Sequence, residues 1–311
     1  MRKLRFDLNV ATNALLCPNP SEFYSKAYIT EDVVNNYRAI PGVKSSTKIA
    51  NVLFDNLLQE ATCNFTAAPT TMSAVTVEVC PISAMAEICR YDLESSFVAL
   101  QMAKGTYGSW DVPSFMGYYW DEMSKEINDE INVIRWQGDS SFPAASGSIS
   151  LCDGYQKILS ASVAAGGAIG STVSGSVTTA NVLTKMATVY SELPAAVRTN
   201  KADLRFYVSS NVAAAYEIAA ATGNNTTYVT TPLELAYLGV PVVVCAGMSD
   251  NKMVLTNKNN LIYAFDGEND NTNLKAINLE DTVAEPVLRT RAEIKIGFQI
   301  VNPGEIVYYG K

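Results

Sequence analysis

Between Ser114 and Gln137 the apolar residues Met116, Trp120, Met123, Ile127, Ile131 and Ile134 recur at steps of 4, 3, 4, 4 and 3. On a helix of about 3.6 residues per turn these positions share one face, and Asp121, Glu122, Lys125, Glu126, Asn128, Asp129 and Glu130 fall on the other. Pro113 and Gly138 punctuate the ends, with Ser114 a candidate N-cap. At about 1.5 Å per residue the helix reaches roughly 35 Å, long for a globular domain and suited to a spine. Its carboxylates read as a solvated or partner-facing stripe rather than an acid/base pair.

The period shortens to two elsewhere. Val75, Val77 and Val79 alternate with Thr76 and Glu78, the pattern of a half-buried strand. A first strand after Ser45, the polar middle Thr62-Cys-Asn-Phe-Thr-Ala-Ala-Pro-Thr-Thr71 and this second strand make one long hairpin out to Pro81. Two-stranded ribbons are marginal alone, so the hairpin has to pack on the rest of the molecule or on a neighbour. Near the end of the chain Ile294, Ile296, Phe298 and Ile300 alternate with Lys295, Gly297 and Gln299. That predicts a long strand, a turn at Asn302-Pro-Gly-Glu305, and a partner strand, Ile306 to Tyr309, pairing back. The first 45 or so residues read as irregular: Cys17-Pro-Asn-Pro20 argues against a helix there and Ala39-Ile-Pro-Gly-Val43 is a turn. Only Glu31 to Arg38 could form two helical turns, so this stretch reads as an arm lying on something else.

From Gln137-Gly-Asp-Ser-Ser141 onward helices and short strands alternate. Asp153 is a candidate cap for a helix to about Val163, and Gly166 to Gly175 reads as a flexible loop. Thr178 or Thr179 would cap the next helix, in which Val182, Met186, Val189, Tyr190 and Leu193 share a face before Pro194. Leu204 to Val208 is a strand, Ser209 or Ser210 caps an alanine-rich helix ending near Gly223, and Pro232 to Leu238 is a short helix or turn. Val240 to Ala246 and Lys252 to Thr256 complete a compact α/β unit near the modal domain size.

Composition narrows the chemistry. The 311 residues include no histidine, which removes Ser-His-Asp and Cys-His triads, His-ligated metals and histidine switches. Lys and Arg number 23 against 31 Asp and Glu, a net charge of −8 without any basic cluster, which argues against a protein built to grip phosphate. Charged residues are 17% of the chain, against roughly 25% in an average soluble protein, so the surface is either sparsely charged or largely covered. The cysteines at 17, 63, 80, 89, 152 and 245 lack C-x-x-C spacing and read as small buried apolar residues in a reducing compartment. Asp7, Asn9 and Asn13 interrupt any signal peptide, so export is not expected and the sequons at Asn64 and Asn224 are chance matches. The apolar run from Val240 to Met248 is far short of the roughly 20 residues a membrane span needs.

No catalytic signature stands out. Asp266, Glu268 and Asp270 are spaced like the first ligands of a calcium loop, but Asn271 occupies the sharp-turn glycine position and Ile277 the bidentate glutamate position. The loop therefore reads as a solvated turn, and no metal is expected. Gly166 to Gly175 fits neither a dinucleotide fingerprint nor a P-loop, and Cys245 reads as core rather than nucleophile. No enzyme activity, cofactor or catalytic residue is expected.

The order arm, long hairpin, spine helix, α/β unit, terminal strands resembles the major capsid protein of tailed bacteriophages, the Hong Kong 97-like fold. Stretches that are similar in detail include Ile134-Arg-Trp-Gln-Gly-Asp-Ser140, Cys152-Asp-Gly-Tyr-Gln-Lys-Ile-Leu159 and Leu204-Arg-Phe-Tyr-Val-Ser-Ser-Asn211. Leu238-Gly-Val-Pro-Val-Val243, Lys258-Asn-Asn-Leu-Ile-Tyr-Ala-Phe-Asp266 and Arg291 to Pro303 extend the likeness, which covers most of the chain from about Ser45.

The resemblance implies an α+β architecture with an arm over 1–44, an extended hairpin loop over 45–81, a peripheral domain with the spine helix over 82–146, an axial α/β domain over 147–257 and return strands over 258–311. It implies a virion shell protein, assembled in the host cytoplasm from pentamers and hexamers of itself and enclosing double-stranded DNA that it contacts non-specifically. Scaffolding, portal and decoration proteins are candidate further partners, and no membrane is involved. No motif carries over the Lys-Asn cross-link of one branch of the family. An encapsulin-like compartment shell is the nearest alternative, and a small-molecule-binding α/β protein is the alternative from another class.

Overall fold

The structure, a computed structural model, describes residues 20–27, 29–54, 58, 70–89, 91, 113–222, 235–266, 274–279 and 284–310. The chain divides into two compact units: Met1–Glu31, Pro81–Ile131 and Asp266–Lys295 form the first, and Asp32–Cys80, Asn132–Phe265 and Ile296–Lys311 the second.

In the first unit, helix α1 (Pro20–Ala27) buries Phe23 and Tyr24. Phe23 meets Trp120 edge-on, with ring centroids 5.6 Å apart. Trp120 belongs to the spine helix, α3 (Pro113–Gln137), whose buried Trp120, Ile127, Ile131 and Ile134 and exposed Asp121, Glu122, Glu126, Asp129 and Glu130 are the two faces that the periodicity predicts. Strands β4 (Cys80–Cys89) and β11 (Leu274–Asn278) both pair with the long strand β12 (Val287–Ile300), β11 antiparallel from Leu274↔Ala292 to Asn278↔Leu288. An Arg289–Glu87 ion pair at 2.6 Å ties β12 to β4.

The second unit is built on a six-stranded sheet in the order β5-β13-β9-β6-β8-β7. These strands are β5 (Ile169–Gly170), β6 (Leu204–Ser209), β7 (Ala236–Tyr237), β8 (Val240–Cys245), β9 (Met253–Asn257) and β13 (Val307–Tyr309). Strand β6 runs parallel to β8 and antiparallel to β9. Val182, Met186 and Val189 of α5 (Val182–Glu192) and Val212 and Tyr216 of α7 (Ser210–Thr222) join the apolar core with Phe206, Val208 and Leu255 of the sheet. Helices α4 (Tyr155–Ala164) and α6 (Ala195–Arg198) complete the unit. The hairpin is present as β2 (Ser46–Phe54) antiparallel to β3 (Thr70–Glu78), in register from Ser46↔Glu78 to Phe54↔Thr70. Helix α2 (Glu31–Asn36) leads into β1 (Arg38–Ile40), which lies parallel to β10 (Leu261–Asp266).

Several expectations change. The segment from Pro20 is not irregular: proline is tolerated at the first helical position because its missing N–H would be unpaired anyway, so Pro20 opens α1 rather than blocking it. Asp153 does not cap α4; Gly154 is the N-cap residue, and Asp153 is drawn off by Lys157 and the Ser140 N–H. Asn181, not Thr178 or Thr179, stands at the N-cap of α5, and its side-chain oxygen instead accepts the Thr178 N–H at 2.8 Å. Ile169–Gly170 is a short strand inside the supposed loop, and Ala236–Tyr237 is a strand rather than a helix or turn. Val307–Tyr309 does not pair back on β12 but joins the other sheet between β5 and β9. Cys80 and Cys152 are bonded to each other rather than standing as separate buried thiols, because the fold brings their Cα atoms to 5.8 Å.

The root of the hairpin is closely packed in the second unit. Val77 is fully buried with Val43, Ile262 and Ala264, and Ile49 and Val79 pack against them. A Cβ on Gly297 would lie 2.1 Å from the Glu78 carbonyl oxygen, so only glycine lets β12 cross the end of β3 this closely. Gln299 Nε2 donates to the Thr76 carbonyl at 3.2 Å across the same crossing. Gly297→Ala is therefore expected to destabilise the fold by about 3 kcal/mol, the scale of core overpacking, as read from a denaturant melt.

Candidate functional site

Two of the stretches that carry the family resemblance, Ile134–Ser140 and Cys152–Leu159, meet in the second unit. The Gly138 N–H donates to the Ile134 carbonyl at 2.9 Å and the Gly154 N–H to the Gly138 carbonyl at 2.8 Å. A Cβ on Gly138 would sit 2.3 Å from the Cys152 oxygen, and one on Gly154 2.5 Å from the Ile134 oxygen, so both glycines are required by close backbone approach. Beside them Lys157 Nζ lies 2.7 Å from both Asp139 and Asp153. Hydrogen bonds from Lys157 and Ser141 hold the Asp139 carboxyl down at about 2. Burial works against the charge of Asp153, but hydrogen bonds from Lys157 and Ser140 outweigh it and lower its pKa.

The end of α3 drives Arg135 and Trp136 into a nest of aromatic rings. The Arg135 side chain is 2% exposed, its guanidinium 4.9 Å from the Tyr37 ring centroid, 5.2 Å from that of Tyr263, and 3.7 Å from the Asp32 carboxylate. Tyr155 stacks on Tyr37 at 5.9 Å and meets Trp136 edge-on at 5.3 Å. Its hydroxyl donates to the Ile262 carbonyl at 2.7 Å, and that of Tyr207 donates to the Asn36 carbonyl. Burial raises the pKa of Tyr37, Tyr155 and Tyr207 and pushes Tyr263 up to about 12. It also pushes the Cys245 thiol, 3.7 Å from the Tyr37 hydroxyl, up to about 12. At neutral pH these four phenols and the thiol keep their protons, and the thiolate that nucleophilic chemistry requires is not formed. The arrangement holds α2, α3, α4 and β10 in register rather than moving protons.

Contact surfaces lie outside this joint. Beyond its packed root the β2–β3 ribbon runs out with Met72 at 74% and Leu58 at 96% exposure. Leu183 on α5, Ile218 on α7 and Leu238 in the β7–β8 turn are also exposed. Next to the root, Val75, Ile158, Ile300, Val301 and Pro303 line an open cleft of about 570 Å³. An Ala-rich helix such as α7 buries Val212, Ala213, Ala215 and Tyr216 on one side and leaves Ile218 bare on the other. These exposed apolar side chains accompany a sparsely charged composition.

Most of the hairpin tip, Thr62 to Pro69, lies outside the described residues, as do residues 267–273 of the acidic turn. Asp266 itself faces Lys295 at 3.5 Å, and among the described residues no group of three His, Cys, Asp or Glu side chains could hold a metal ion. No helix among the described residues is long and apolar enough to cross a membrane. The sequence alone gives Arg135 no role, and it reads Cys80 and Cys152 as separate buried residues rather than as a pair. The available signal for Arg135 was an arginine between Ile134 and Trp136 at the end of an apolar face.

No protein-family model and no curated protein matches the chain. Solved structures do match. The satellite phage P4 procapsid, which includes a size-determination protein, aligns with a TM-score of 0.58 at 10% identity over 93% of this chain and 96% of its own. The capsid of an empty GTA particle aligns with a TM-score of 0.56 at 13% identity over 92% and 89%. A virus-like particle from Pyrococcus furiosus aligns with a TM-score of 0.51 at 10% identity over 96% and 97%.

Two outcomes follow from the joint. Arg135→Ala is expected to cost about 3 kcal/mol in a denaturant melt, through a cavity and lost cation–π contacts, whereas Arg135→Met, which fills the space without burying charge, costs at least about 2 kcal/mol less. Asp139 has a lowered folded pKa, so its contribution is present above its ordinary value near 3.8 and is lost as pH falls toward 2. Lys157→Met should therefore flatten the fall in melting temperature between pH 4 and pH 2 and lower the melting temperature at pH 6.

Proposed function

We propose that this chain, whose α+β fold is the Hong Kong 97-like one, is the repeating subunit of an icosahedral shell that encloses double-stranded DNA. The observation that carries the reading is the hairpin: its root is fixed by Val77, Gly297 and Gln299, while Met72 and Leu58 further out are exposed with nothing of the described chain over them. A ribbon built this way gains its burial from another copy. The likeness to capsid chains supports the same reading, since it runs over nearly the whole of both partners.

On this reading residues 147–257 form the axial domain around five-fold and six-fold axes. Residues 82–146 and 258–311 form the peripheral domain, 45–81 the extended loop, and 1–44 the arm over neighbours. The subunit works by contact and not by catalysis. Pentamers and hexamers of the chain itself are the principal partners; scaffolding, portal and decoration proteins are further ones, and assembly takes place in the host cytoplasm. A net charge of −8 suits a wall that contains DNA without gripping it. A compartment that encloses protein cargo is the second reading; the alignment with a virus-like particle from Pyrococcus furiosus supports a shell without choosing between the two.

Electron microscopy of the purified protein is expected to reveal rings or closed shells, and a strictly monomeric species under every assembly condition would reject the proposal. The absorbance ratio of particles purified from infected cells separates the two readings, nucleic acid for a genome and protein alone for a compartment. Removing residues 62–71 is expected to leave a folded subunit that no longer forms shells; normal particles from this deletion would reject the role given to the hairpin.

A further inference from the structure

We infer that Cys80 and Cys152 form a redox-operated clasp on the root of the hairpin, open as two thiols where the chain is made and closed as a disulfide once an oxidant reaches it. Cys80 begins β4 two positions after the last residue of β3, and Cys152 lies just ahead of α4. Their Cα atoms are 5.8 Å apart, inside the roughly 4.4–6.8 Å that a bridge spans without moving backbone. The site is prepared for them by the glycine crossing, which fixes the strand around Cys152, and by the packing of Val77 and Val79 just ahead of Cys80.

The two sulfurs differ in access. Cys152 is 3% exposed, with its sulfur 3.7 Å from the Ile296 carbonyl, whereas Cys80 is only half-buried. A small disulfide such as oxidised glutathione therefore meets Cys80 first. The Cys80 thiolate attacks it, the glutathione S–S bond breaks, a mixed disulfide forms and one glutathione leaves. The Cys152 thiolate then attacks the Cys80 sulfur and displaces the second glutathione. Two protein thiols are oxidised, one glutathione disulfide is reduced to two thiols, and the protons released by the cysteines end on the departing glutathiones. Cys245 is not part of the bridge and sits against the Tyr37 hydroxyl at 3.7 Å.

The bond closes a ring across a sequence separation of 72 that contains residues 81–131, the middle segment of the first unit. Closing it joins the point where that segment leaves the second unit to a point just after it returns, and it fixes the end of β3 at the same time. Most of the loop-closure entropy is removed from the unfolded chain, so the closed form resists unfolding. The timing rests on the shell reading: a particle assembled in a reducing cytoplasm passes afterwards into oxidising surroundings.

The test uses the full-length protein, assembled or not, incubated with or without oxidised glutathione and then denatured in an alkylating agent so that the buried Cys152 is reached. Before oxidation both Cys80 and Cys152 are expected to carry the alkyl group. Afterwards both are protected, the unalkylated protein is about 2 Da lighter, and a peptide joins the two residues. The oxidised form should melt on the order of 5–10 °C above the reduced one. Cys80→Ser should abolish that difference, as should Cys152→Ser if the first variant does not fold. Alkylation of both residues after oxidation would overturn the clasp, and so would a bridge that leaves the melting temperature unchanged. Shells without the bridge reject the clasp alone, while a bridged protein that never forms particles rejects the shell reading alone.

Discussion

The backbone crossing of Gly138 and Gly154 is the constraint on which the rest of the second unit depends. At this distance no side chain can stand between the two segments, so the end of α3 and the start of α4 are held by peptide groups rather than by rotamers. Everything nearby inherits that geometry. Arg135 and Trp136, three and two positions before the crossing, are aimed into the aromatic nest, and Tyr155, one position after it, stacks there on Tyr37. Asp139 and Asp153, each next to a crossing glycine, converge on Lys157. Cys152 is carried to Cys80. One pair of glycines thus positions a charge, an ion-pair cluster and a covalent bond, and the same two stretches stand out among those that resemble the capsid family.

The hairpin poses the opposite problem. A ribbon of two strands has two faces and almost no interior, so its stability is borrowed. Near the root the loan comes from the chain's own core, through Val77, Ile49 and the crossing of β12 at Gly297. Further out, Met72 and Leu58 meet solvent. The close-approach glycine, the buried valines and the Cys80–Cys152 bond gather at the same few residues.

How far the sequence could be read follows from what each pattern depends on. The spine helix was legible because burial of Trp120, Ile127, Ile131 and Ile134 against exposed carboxylates is a one-dimensional signal. The strands read from Val75, Val77 and Val79 and from Ile294 to Ile300 were legible for the same reason, with a shorter period, although they begin earlier, at Thr70 and Val287. The helix starts at 155 and 182 were not, because Asp153 and Thr178 are good capping candidates by type and the choice turned on competing neighbours, with Lys157 taking the Asp153 carboxylate and the Asn181 side chain accepting the Thr178 N–H. The partner of Val307–Tyr309 was not legible either: three apolar residues fit any open edge, and adjacency in sequence suggested β12, whereas the edge of β9 was available. The nest around Arg135 draws on residues from 32 to 263, a convergence that no local window contains.

The same convergence explains how a chain without histidine uses its polar groups. In the nest, burial drives each titratable group toward its neutral form, and the phenols and the Cys245 thiol keep their protons at neutral pH. The one charge retained there, Arg135, is delocalised over a planar group and faced by two aromatic rings, which is the least costly way to hold a cation out of water. Such an interior neither stores protons nor offers a nucleophile; it is inert across the pH range in which a histidine-based site would switch. On the shell reading proposed above, an interior that keeps the same protonation across this range leaves the geometry of the joint unchanged, while the Lys157–Asp139–Asp153 cluster and the cysteine pair stand apart from it.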